Sequence, residues 1–414
     1  MGQRKLQAPF WTAAFLFAST LIVLAQVRAV SSPQAQADQF SSPAVDAGDY
    51  LYISGQGPQG LDGKVPATFD EQVRQTLNKI KSIVEAAGLT MNNVVYTQVY
   101  LTDISKYDAM NRVFGEYFPN TPPARAVLGV AAVPQSAIEI NAVAVRDLTG
   151  RRVISLPTTN SKDSASPAIL THDRLFVSAM TGADPATGKV PDDPAAQVDL
   201  ALDRMQEILK AAGLDMANMV FVNPYLTSEI PGRVMNQRYA RRFEFGNTPA
   251  RATIEVTSLP GGAHIEYTGV AVRDITQRKA VRPKNMPPSP TASPCVFAGD
   301  TLYCSAKDGF IPGPHGGLYA TTTQHQLRQT MRNQLDNLEE ADMKLEDVVS
   351  TVIYLDDLSD RQAFDQVYAE YFGPVKPAAT TVQQIAPTER KADNEGHFPG
   401  LEQVSLIAVR KQRK

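Results

Sequence analysis

The feature that most constrains this 414-residue chain is a stretch that is written three times at the spacing of a domain. Each copy is a proline-containing loop followed by β-branched residues, a pattern that predicts a loop leading into a strand. The copies are Asn120-Thr-Pro-Pro-Ala-Arg125, Asn247-Thr-Pro-Ala-Arg251 and Val375-Lys-Pro-Ala-Ala379. Other motifs recur at spacings of 124, 125 and 127 residues, as shown by the pairs Ser42 and Ser166, Glu85 and Lys210, and Ala144 and Ala271. This period is too long for a solenoid and predicts three similar domains.

The apolar pattern gives each copy the same predicted order of elements. In the first copy, alternation predicts a hairpin over residues 45–55, and helical spacing predicts an amphipathic helix over residues 69–87. The remaining elements are a strand at 94–102, a helix at 105–118, and strands at 125–132 and 138–146. The resulting order, ββαβαββ, belongs to the α+β class.

We place the three copies at residues 38–150, 151–279 and 280–414. We expect them to form a closed pseudo-trimer within one chain, because homologous edges then bury each other. The third copy carries a polar insertion at 388–400, which is either a functional loop or a disordered one.

Residues 1–37 resemble a targeting segment. Arg4 and Lys5 precede an uncharged apolar run over residues 8–25, and small residues that suit a cleavage site follow at 27–29 and 35–37. The pattern favours a cleaved secretory signal and therefore a periplasmic or extracellular protein. The run is also long enough to serve as an uncleaved membrane anchor, which is the alternative.

The only two cysteines are Cys295 and Cys304. If Gly299 and Asp300 form a two-residue hairpin turn, the two cysteines lie directly opposite each other on neighbouring strands. A cross-strand disulfide is the interpretation that fits export, and two buried free thiols are the alternative.

Composition and motifs argue against several functional classes. The net charge of −3 and the pI of about 6.0 give no basic surface for nucleic acid, so a ribonuclease fits poorly. The five histidines show no close ligand spacing, and we expect no metal. Residues 55–60 match a dinucleotide fingerprint, but Pro58 interrupts it and no helix starts at its end. We therefore expect no cofactor.

The arginine at the loop-to-strand junction is the strongest candidate for chemistry. Two copies have Arg125 and Arg251 there, and the third has Ala379. A guanidinium is a rigid, permanently charged fork that suits a carboxylate. Since one copy lacks it, the scaffold does not require an arginine at this junction.

Each repeat resembles a subunit of the RidA (YjgF) family of enamine/imine deaminases. The resemblance lies most clearly in the first repeat, on Ser54-Gly55-Gln56, Gly63-Lys-Val-Pro66, Val84-Glu-Ala-Ala-Gly-Leu89, Pro123-Ala-Arg125 and Ile138-Glu-Ile-Asn-Ala-Val-Ala-Val-Arg146. It implies a chorismate-mutase-like fold and a trimer fused into one polypeptide. It also implies that small 2-imino or 2-enamino acids are hydrolysed to a 2-keto acid and ammonia.

The resemblance also assigns site residues. It places Arg125 and Arg251 on the substrate carboxylate, and it places Ser54, Gly55, Val127 and Thr253 in the same pockets. By the same resemblance, the family's carboxylate that assists the attacking water maps onto Asn141, Thr268 and Ser405, none of which is a general base near neutral pH. Asn141 and Thr268 are then expected to position water. We interpret Glu139 and Glu266, which recur inside strands, as structural.

Two functions follow from these assignments. The first is an exported hydrolase of small imino acids, in which Arg125 and Arg251 neutralise the carboxylate. The second is a non-catalytic exported protein that binds small carboxylate metabolites such as 2-keto acids, which the missing acid residues favour. Calorimetry with 2-keto acids separates them.

Overall fold

In the computed structural model, residues 27–157, 164–313 and 317–410 are described, and they form three consecutive copies of one α+β unit. The first unit consists of β1 (Arg28–Val30), β2 (Ala44–Asp46), β3 (Tyr50–Gln56), α1 (Phe69–Ala86), β4 (Val94–Leu101), α2 (Tyr107–Tyr117), β5 (Ala124–Gly129) and β6 (Ile138–Val145).

The second unit consists of β7 (Arg152–Ile154), β8 (Ala168–Leu170), β9 (Arg174–Thr181), α3 (Pro194–Ala211), β10 (Met219–Leu226), α4 (Gly232–Ala240), β11 (Ala250–Arg251), β12 (Ile254–Glu255) and β13 (Ile265–Val272). The third consists of β14 (Arg278–Val281), β15 (Cys295–Ala298), β16 (Thr301–Asp308), α5 (Thr323–Glu340), β17 (Val348–Leu355), α6 (Arg361–Ala369), β18 (Ala378–Gln383) and β19 (Glu402–Val409).

Each unit is one mixed sheet with two helices on one face. The strand order in the first sheet is β1-β2-β3-β6-β4-β5, and only the β4–β5 pair is parallel. The other two sheets repeat this order, except that two short strands, β11 and β12, replace the last strand in the second sheet. The helices cover an apolar core in each unit. The predicted α+β fold with three tandem domains is confirmed.

Helix α1 shows how the sequence specifies these elements. Thr68 caps it, and the Glu71 side chain bonds back to the Thr68 backbone in a capping box. Val73, Leu77 and Ile80 share the buried face, as helical spacing requires. The helix ends before Gly88, whose φ of 74° is a left-handed conformation that favours glycine.

The structure adds an edge strand to the predicted order. Strands β1, β7 and β14 open the three units, so the first and third units read βββαβαββ, and the second reads βββαβαβββ because two short strands replace one. The boundary that we set at residue 38 is therefore ten residues too late, because Arg28–Val30 pairs with β2 in the first sheet. Strands of three or four residues with only one buried side chain each carry too little alternation to be recognised in a sequence. Residues 1–26, which hold most of the predicted targeting segment, lie outside the described residues.

The three sheets pack in a cyclic order. Strand β5 of the first unit lies beside β9 of the second, β11 lies beside β16 of the third, and β18 returns to β3 of the first. Equivalent backbone hydrogen bonds seal the three junctions, from Ser166 N to Pro123 O, from Ser293 N to Pro249 O and from Ser42 N to Pro377 O. The chain is thus an intrachain pseudo-trimer.

An asymmetric cluster lies where the three units meet. The equivalent positions at the start of β3, β9 and β16 hold Tyr50, Arg174 and Thr301. Arg174 is 2% exposed, its guanidinium carbon lies 4.4 Å from the centre of the Tyr50 ring, and Nη2 donates to Thr301 Oγ1 at 2.8 Å. Asp173 pairs with Arg174 Nε at 3.0 Å, and Tyr303 Oη accepts from Nη1 at 3.0 Å. One buried cation therefore contacts all three units.

The third unit contains the predicted cysteine pair and the polar insertion at 388–400. Cys295 lies directly opposite Cys304 across the Gly299–Asp300 turn, and their sulfur atoms form a disulfide. The insertion at 388–400 is held to the domain, since Thr388 N donates to Asp356 at 3.0 Å and Arg390 pairs with Asp360 at 2.9 Å.

The helices of the described residues do not include one that is long and apolar enough to cross a membrane. The apolar run at 8–25, for which an anchor is the alternative prediction, falls outside those residues.

Candidate functional site

A cleft lies at each junction between units, where the strand after the proline loop meets the neighbouring unit. We call them cleft I (β5 against β9), cleft II (β11 against β16) and cleft III (β18 against β3). The junction residue of each is Arg125, Arg251 and Ala379, respectively. The opposite wall is a Ser-Gly or Ser-Ala pair at a β-bulge, formed by Ser178-Ala179, Ser305-Ala306 and Ser54-Gly55. Bulges of this kind redirect side chains next to functional sites.

The serine of each pair ties the wall to the strand before it. Ser178 Oγ donates to Ser166 O at 2.6 Å and accepts from the backbone N of Arg125 at 2.7 Å. Ser305 Oγ likewise accepts from the backbone N of Arg251 at 2.8 Å. In cleft III, Ser54 Oγ donates to Pro43 O at 3.0 Å.

In cleft I the arginine side chain fills its own pocket. Arg125 is 4% exposed, and its guanidinium carbon lies 4.5 Å from the centre of the Phe114 ring. Its Nη2 atom donates to Asn111 Oδ1 at 2.6 Å and to Ser164 Oγ at 3.1 Å. Both donors of Nη2 are therefore used within the protein.

Cleft II repeats this arrangement. Arg251 is partly buried, its guanidinium carbon lies 5.2 Å from the Tyr239 ring centre, and Nη1 donates to Asn236 Oδ1 at 2.7 Å. Burial lowers the pKa of Arg251, and the nearby Tyr239 and Tyr267 raise it. Thr253, predicted as a binding residue, accepts on its carbonyl from Gln403 of the next unit at 3.4 Å.

Cleft III differs because Ala379 leaves the arginine position unfilled. It encloses a cavity of about 340 Å³, near the lower end of small-molecule sites. Its walls come from the first and third units and from the segment 34–43 that precedes β2. Its charged lining residues are Asp38, Lys79, Glu139, Arg361 and Asp365.

Glu139 is the carboxylate of this cleft. It lies on β6, is 5% exposed, and packs so closely against the Gly55 backbone that a methyl group there would overlap Oε1. Burial raises the pKa of Glu139 to about 7, although the positive charges of Arg361 and Lys79 and the backbone of Thr381 lower it. A carboxyl with this pKa can both accept and donate a proton near neutral pH.

Two cations accompany Glu139. Lys79 Nζ donates to Gly57 O at 3.1 Å and to Gln59 O at 3.2 Å, so two of its three donors are used. Burial lowers the pKa of Lys79, and the charge of Glu139 raises it. Arg361 lies at the rim, where Nε contacts Asp365 Oδ2 at 3.3 Å. Both cations are able to attract a ligand carboxylate.

The equivalent glutamates of the other clefts are more enclosed. Glu266 is fully buried, and neither of its carboxyl oxygens has a hydrogen-bond partner in the described part of the chain. Burial raises the pKa of Glu266 to about 8. Burial also raises the pKa of Glu402 to about 8, while a hydrogen bond from Thr330 lowers it. Their bulge neighbours are Ala179 and Ala306, so these clefts lack the close glycine approach seen at Gly55.

Asn141 and Thr268 do not lie where we expected. They line a separate central cavity of about 90 Å³ between the three sheets, among Tyr52, Phe176 and Tyr303. Asn141 Nδ2 donates to Thr380 Oγ1 at 3.1 Å. They share a strand face with the glutamates, but they lie two residues closer to the centre of the molecule. Glu139 is the glutamate that lines cleft III, and the water-positioning role of Asn141 and Thr268 stays a prediction.

The remaining predicted residues divide between cleft and core. Ser54 and Gly55 line cleft III. Val127 is buried in the core of the first unit, whereas its equivalent in the third unit, Thr381, lines the cavity. Among the described residues, no group of three His, Cys, Asp or Glu side chains could hold a metal ion. His315 lies outside the described residues.

The profile of the endoribonuclease L-PSP family matches residues 30–146, 160–273 and 285–391. These ranges cover most of the chain and correspond to its three units. The chain belongs to the endoribonuclease L-PSP family.

The relatives of this L-PSP family protein named here each match it over the length of about one unit. A RutC family protein of Pyrococcus horikoshii is 40% identical over 111 residues, which cover 26% of this chain and 86% of the relative. The mouse protein 2-iminobutanoate/2-iminopropanoate deaminase is 41% identical over 110 residues, covering 25% of this chain and 80% of the relative. The solved YjgF protein of Escherichia coli is 35% identical and covers 29% of this chain and 99% of its own, with a TM-score of 0.27.

Sequence reasoning about this L-PSP family protein missed Lys79, Arg361 and Asp365, and it treated Glu139 as structural. One signal was available. Counting 254 residues from Arg125 and Asn111 reaches Ala379 and Asp365, so two neighbouring side chains change together in the third unit. A concerted change of that kind points to an altered site rather than to random decay.

Proposed function

We propose that this protein hydrolyses small 2-imino acids in cleft III, with Glu139 as the general base and acid. The observation that carries the proposal is the buried carboxyl of Glu139, with a pKa raised to about 7, on the wall of an open cavity. Membership of the L-PSP family and similarity to the mouse deaminase support the reaction class.

In this reaction Lys79 and Arg361 attract the substrate carboxylate. The Glu139 carboxylate takes a proton from a water molecule while the water oxygen bonds to the imine carbon, and the C=N electron pair moves to nitrogen. The protonated Glu139 then returns this proton to nitrogen, which gives a neutral carbinolamine and restores the carboxylate. The carboxylate next takes the proton of the carbinolamine hydroxyl and passes it to nitrogen, so that the C–N bond breaks and ammonia leaves as the C=O bond forms. General acid–base catalysis of this kind contributes about 10²- to 10⁴-fold.

The test is ammonia release by the purified full chain, with 2-iminopropanoate generated in situ by an amino-acid oxidase. We expect turnover above the spontaneous rate and its loss in Glu139→Gln. The matched control is Glu402→Gln, the equivalent change in cleft II. Equal activity of wild type and Glu139→Gln would reject Glu139 as the base.

A second candidate is a binding protein for small carboxylates without turnover. It is favoured by Ala379, because cleft III lacks the arginine that clefts I and II contain. Calorimetry with pyruvate and 2-oxobutanoate distinguishes the two functions: binding in cleft III with no ammonia release supports this candidate.

We also propose that the protein acts outside the cytoplasm, in the periplasm or extracellularly. The apolar run at 8–25 and the Cys295–Cys304 disulfide support this. Cell fractionation and N-terminal sequencing of the mature protein test it. A chain that keeps its N-terminus and sediments with membranes supports the anchored alternative.

A further inference from the structure

Cleft III has lost an arginine and gained an acid at the position that the arginine contacted. In clefts I and II, a guanidinium donates to the amide oxygen of Asn111 or Asn236. The equivalent pair in cleft III is Ala379 and Asp365, and both line the cavity. The third unit therefore has space for a cation and a carboxylate facing that space.

The aromatic partner of the missing guanidinium is retained. Phe114 and Tyr239 each lie beneath an arginine, with guanidinium carbons 4.5 and 5.2 Å from the ring centres. Their equivalent is Tyr368, which also lines the cavity and whose hydroxyl is fixed by Thr351 Oγ1 at 2.7 Å. A ring face of this kind attracts a guanidinium or ammonium group.

The charges of the cleft leave room for one more cation. Its lining contains three carboxylates, on Asp38, Glu139 and Asp365, and two cations, on Lys79 and Arg361. Arg361 reaches Asp365 only through Nε at 3.3 Å, and 40% of its side chain is exposed. This single contact leaves further acceptor capacity on the buried Asp365 carboxylate. Burial raises the pKa of Asp365, the charge of Arg361 lowers it, and the charge of Asp38 raises it further.

We propose that cleft III selects ligands that carry a guanidinium or ammonium group, which takes the place of the guanidinium that Arg125 and Arg251 supply in the other clefts. The group contacts Asp365 and stacks on Tyr368, while the ligand carboxylate lies towards Lys79. Resting on the proposed function, this makes the substrate class the 2-imino acids derived from basic amino acids.

The test is calorimetry of the full chain with L-arginine, which has the same side chain and carboxylate as its imino acid but cannot be hydrolysed. L-Norleucine is the neutral probe of similar length. We expect one L-arginine per chain, bound at least about tenfold more tightly than L-norleucine, since a charge-assisted hydrogen bond is replaced by an apolar contact. Equal affinity for the two amino acids, or no binding of L-arginine, overturns the proposal.

Two variants locate the bound cation. Ala379→Arg supplies the missing guanidinium from the protein and is expected to weaken L-arginine binding by about tenfold or more. Asp365→Asn restores the amide of clefts I and II and is expected to weaken L-arginine binding to a similar degree. This second variant tests the cation site if Ala379→Arg does not fold. Asp336→Asn, which removes an acid of α5 outside the cavity lining, is the control and leaves the affinity unchanged. Unchanged affinity in both folded cleft variants also overturns the proposal.

The two proposals fail separately in these measurements. Hydrolysis of 2-iminopropanoate without selective L-arginine binding rejects the cation site and leaves the hydrolase. Selective L-arginine binding without hydrolysis of any imino acid, including the one generated from arginine, rejects the hydrolase and leaves the cation site.

Discussion

Clefts I and III are built from the same elements and differ in what fills them. In cleft I, Arg125 occupies the pocket and bonds to Asn111, and the facing unit contributes the sealed Glu266. In cleft III, Ala379 leaves a cavity, and Glu139 lines it beside two cations. Within one chain, two junctions are thus occupied by an arginine side chain, while the third encloses a cavity. The same substitution of alanine for arginine that removes a cation from the junction also leaves space in it.

The change expected to have the largest effect is Glu139→Gln. It should lower kcat for imine hydrolysis by about 10²- to 10⁴-fold, because the amide cannot accept the proton of water. In the wild type, kcat/KM should rise with pH through about pH 7, as the carboxylate form becomes populated. Steady-state ammonia release between pH 5 and 9 measures both. A flat pH profile would contradict the assignment of Glu139 as the base.

A second change, Glu266→Gln, tests whether the buried glutamate of cleft I lowers the stability of the folded protein. Between its usual pKa and about 8, folded Glu266 holds a proton that the unfolded chain has released, so the free energy of unfolding falls as pH rises. Glu266→Gln cannot ionise, and its stability relative to the wild type should therefore grow from pH 5 to pH 9, by on the order of 4 kcal/mol.

Urea unfolding at pH 5, 7 and 9 measures this trend. Glu139→Gln provides the comparison and should gain less, because its pKa is raised only to about 7. A pH-independent difference for Glu266→Gln would show that Glu266 is not sealed from solvent.

The third prediction concerns the double variant Arg125→Ala/Arg251→Ala. Loss of the hydrogen bonds to Asn111 and Asn236 should cost about 1–3 kcal/mol of stability at each position. Turnover in cleft III should stay within about threefold of the wild type, since neither arginine lines that cavity. Ammonia release from the folded variant is the measurement. Abolished turnover would instead support the roles that we predicted for these arginines from the sequence.

The smallest effect is expected from shortening the chain. A protein that begins at residue 38 lacks β1 and the part of the cleft III wall at 34–36, whereas a protein that begins at residue 27 keeps both. The shorter form should have a melting temperature lower by about 2–4 °C, equivalent to roughly 1 kcal/mol. Its KM should rise while cleft I is unaffected. Identical melting and kinetics would show that residues 27–37 do not contribute to the site.

Much of the fold could be predicted from the sequence, because period and alternation report burial directly. Helix α1, for instance, begins at Phe69 as predicted and ends at Ala86, one residue before the predicted end. By contrast, when a single residue is buried against another unit, the sequence around it shows no periodic pattern that reveals the contact. The alternation on β6 places Glu139 and Asn141 on the same face, and only the packing of β18 decides that one faces the cleft and the other the central cavity.

The site was harder to predict because it is assembled from two units. Glu139 comes from the first unit, and Ala379 and Asp365 come from the third, more than 200 residues later in the chain. Comparing each repeat with its own copies reveals which residues changed. The cyclic order of the sheets is needed to show which unit each changed residue faces.

The cluster at Tyr50, Arg174 and Thr301 limits whether the three units could be encoded by separate genes. If the second unit were released as a separate gene and formed a homotrimer, three copies of Arg174 would meet at one buried point, where like charges repel strongly. We expect the isolated unit to be monomeric in light scattering. One tyrosine, one arginine and one threonine fit together only when all three units come from the same polypeptide. The three units can therefore continue to diverge in sequence within the fused chain, but they can no longer function as separately encoded homotrimers.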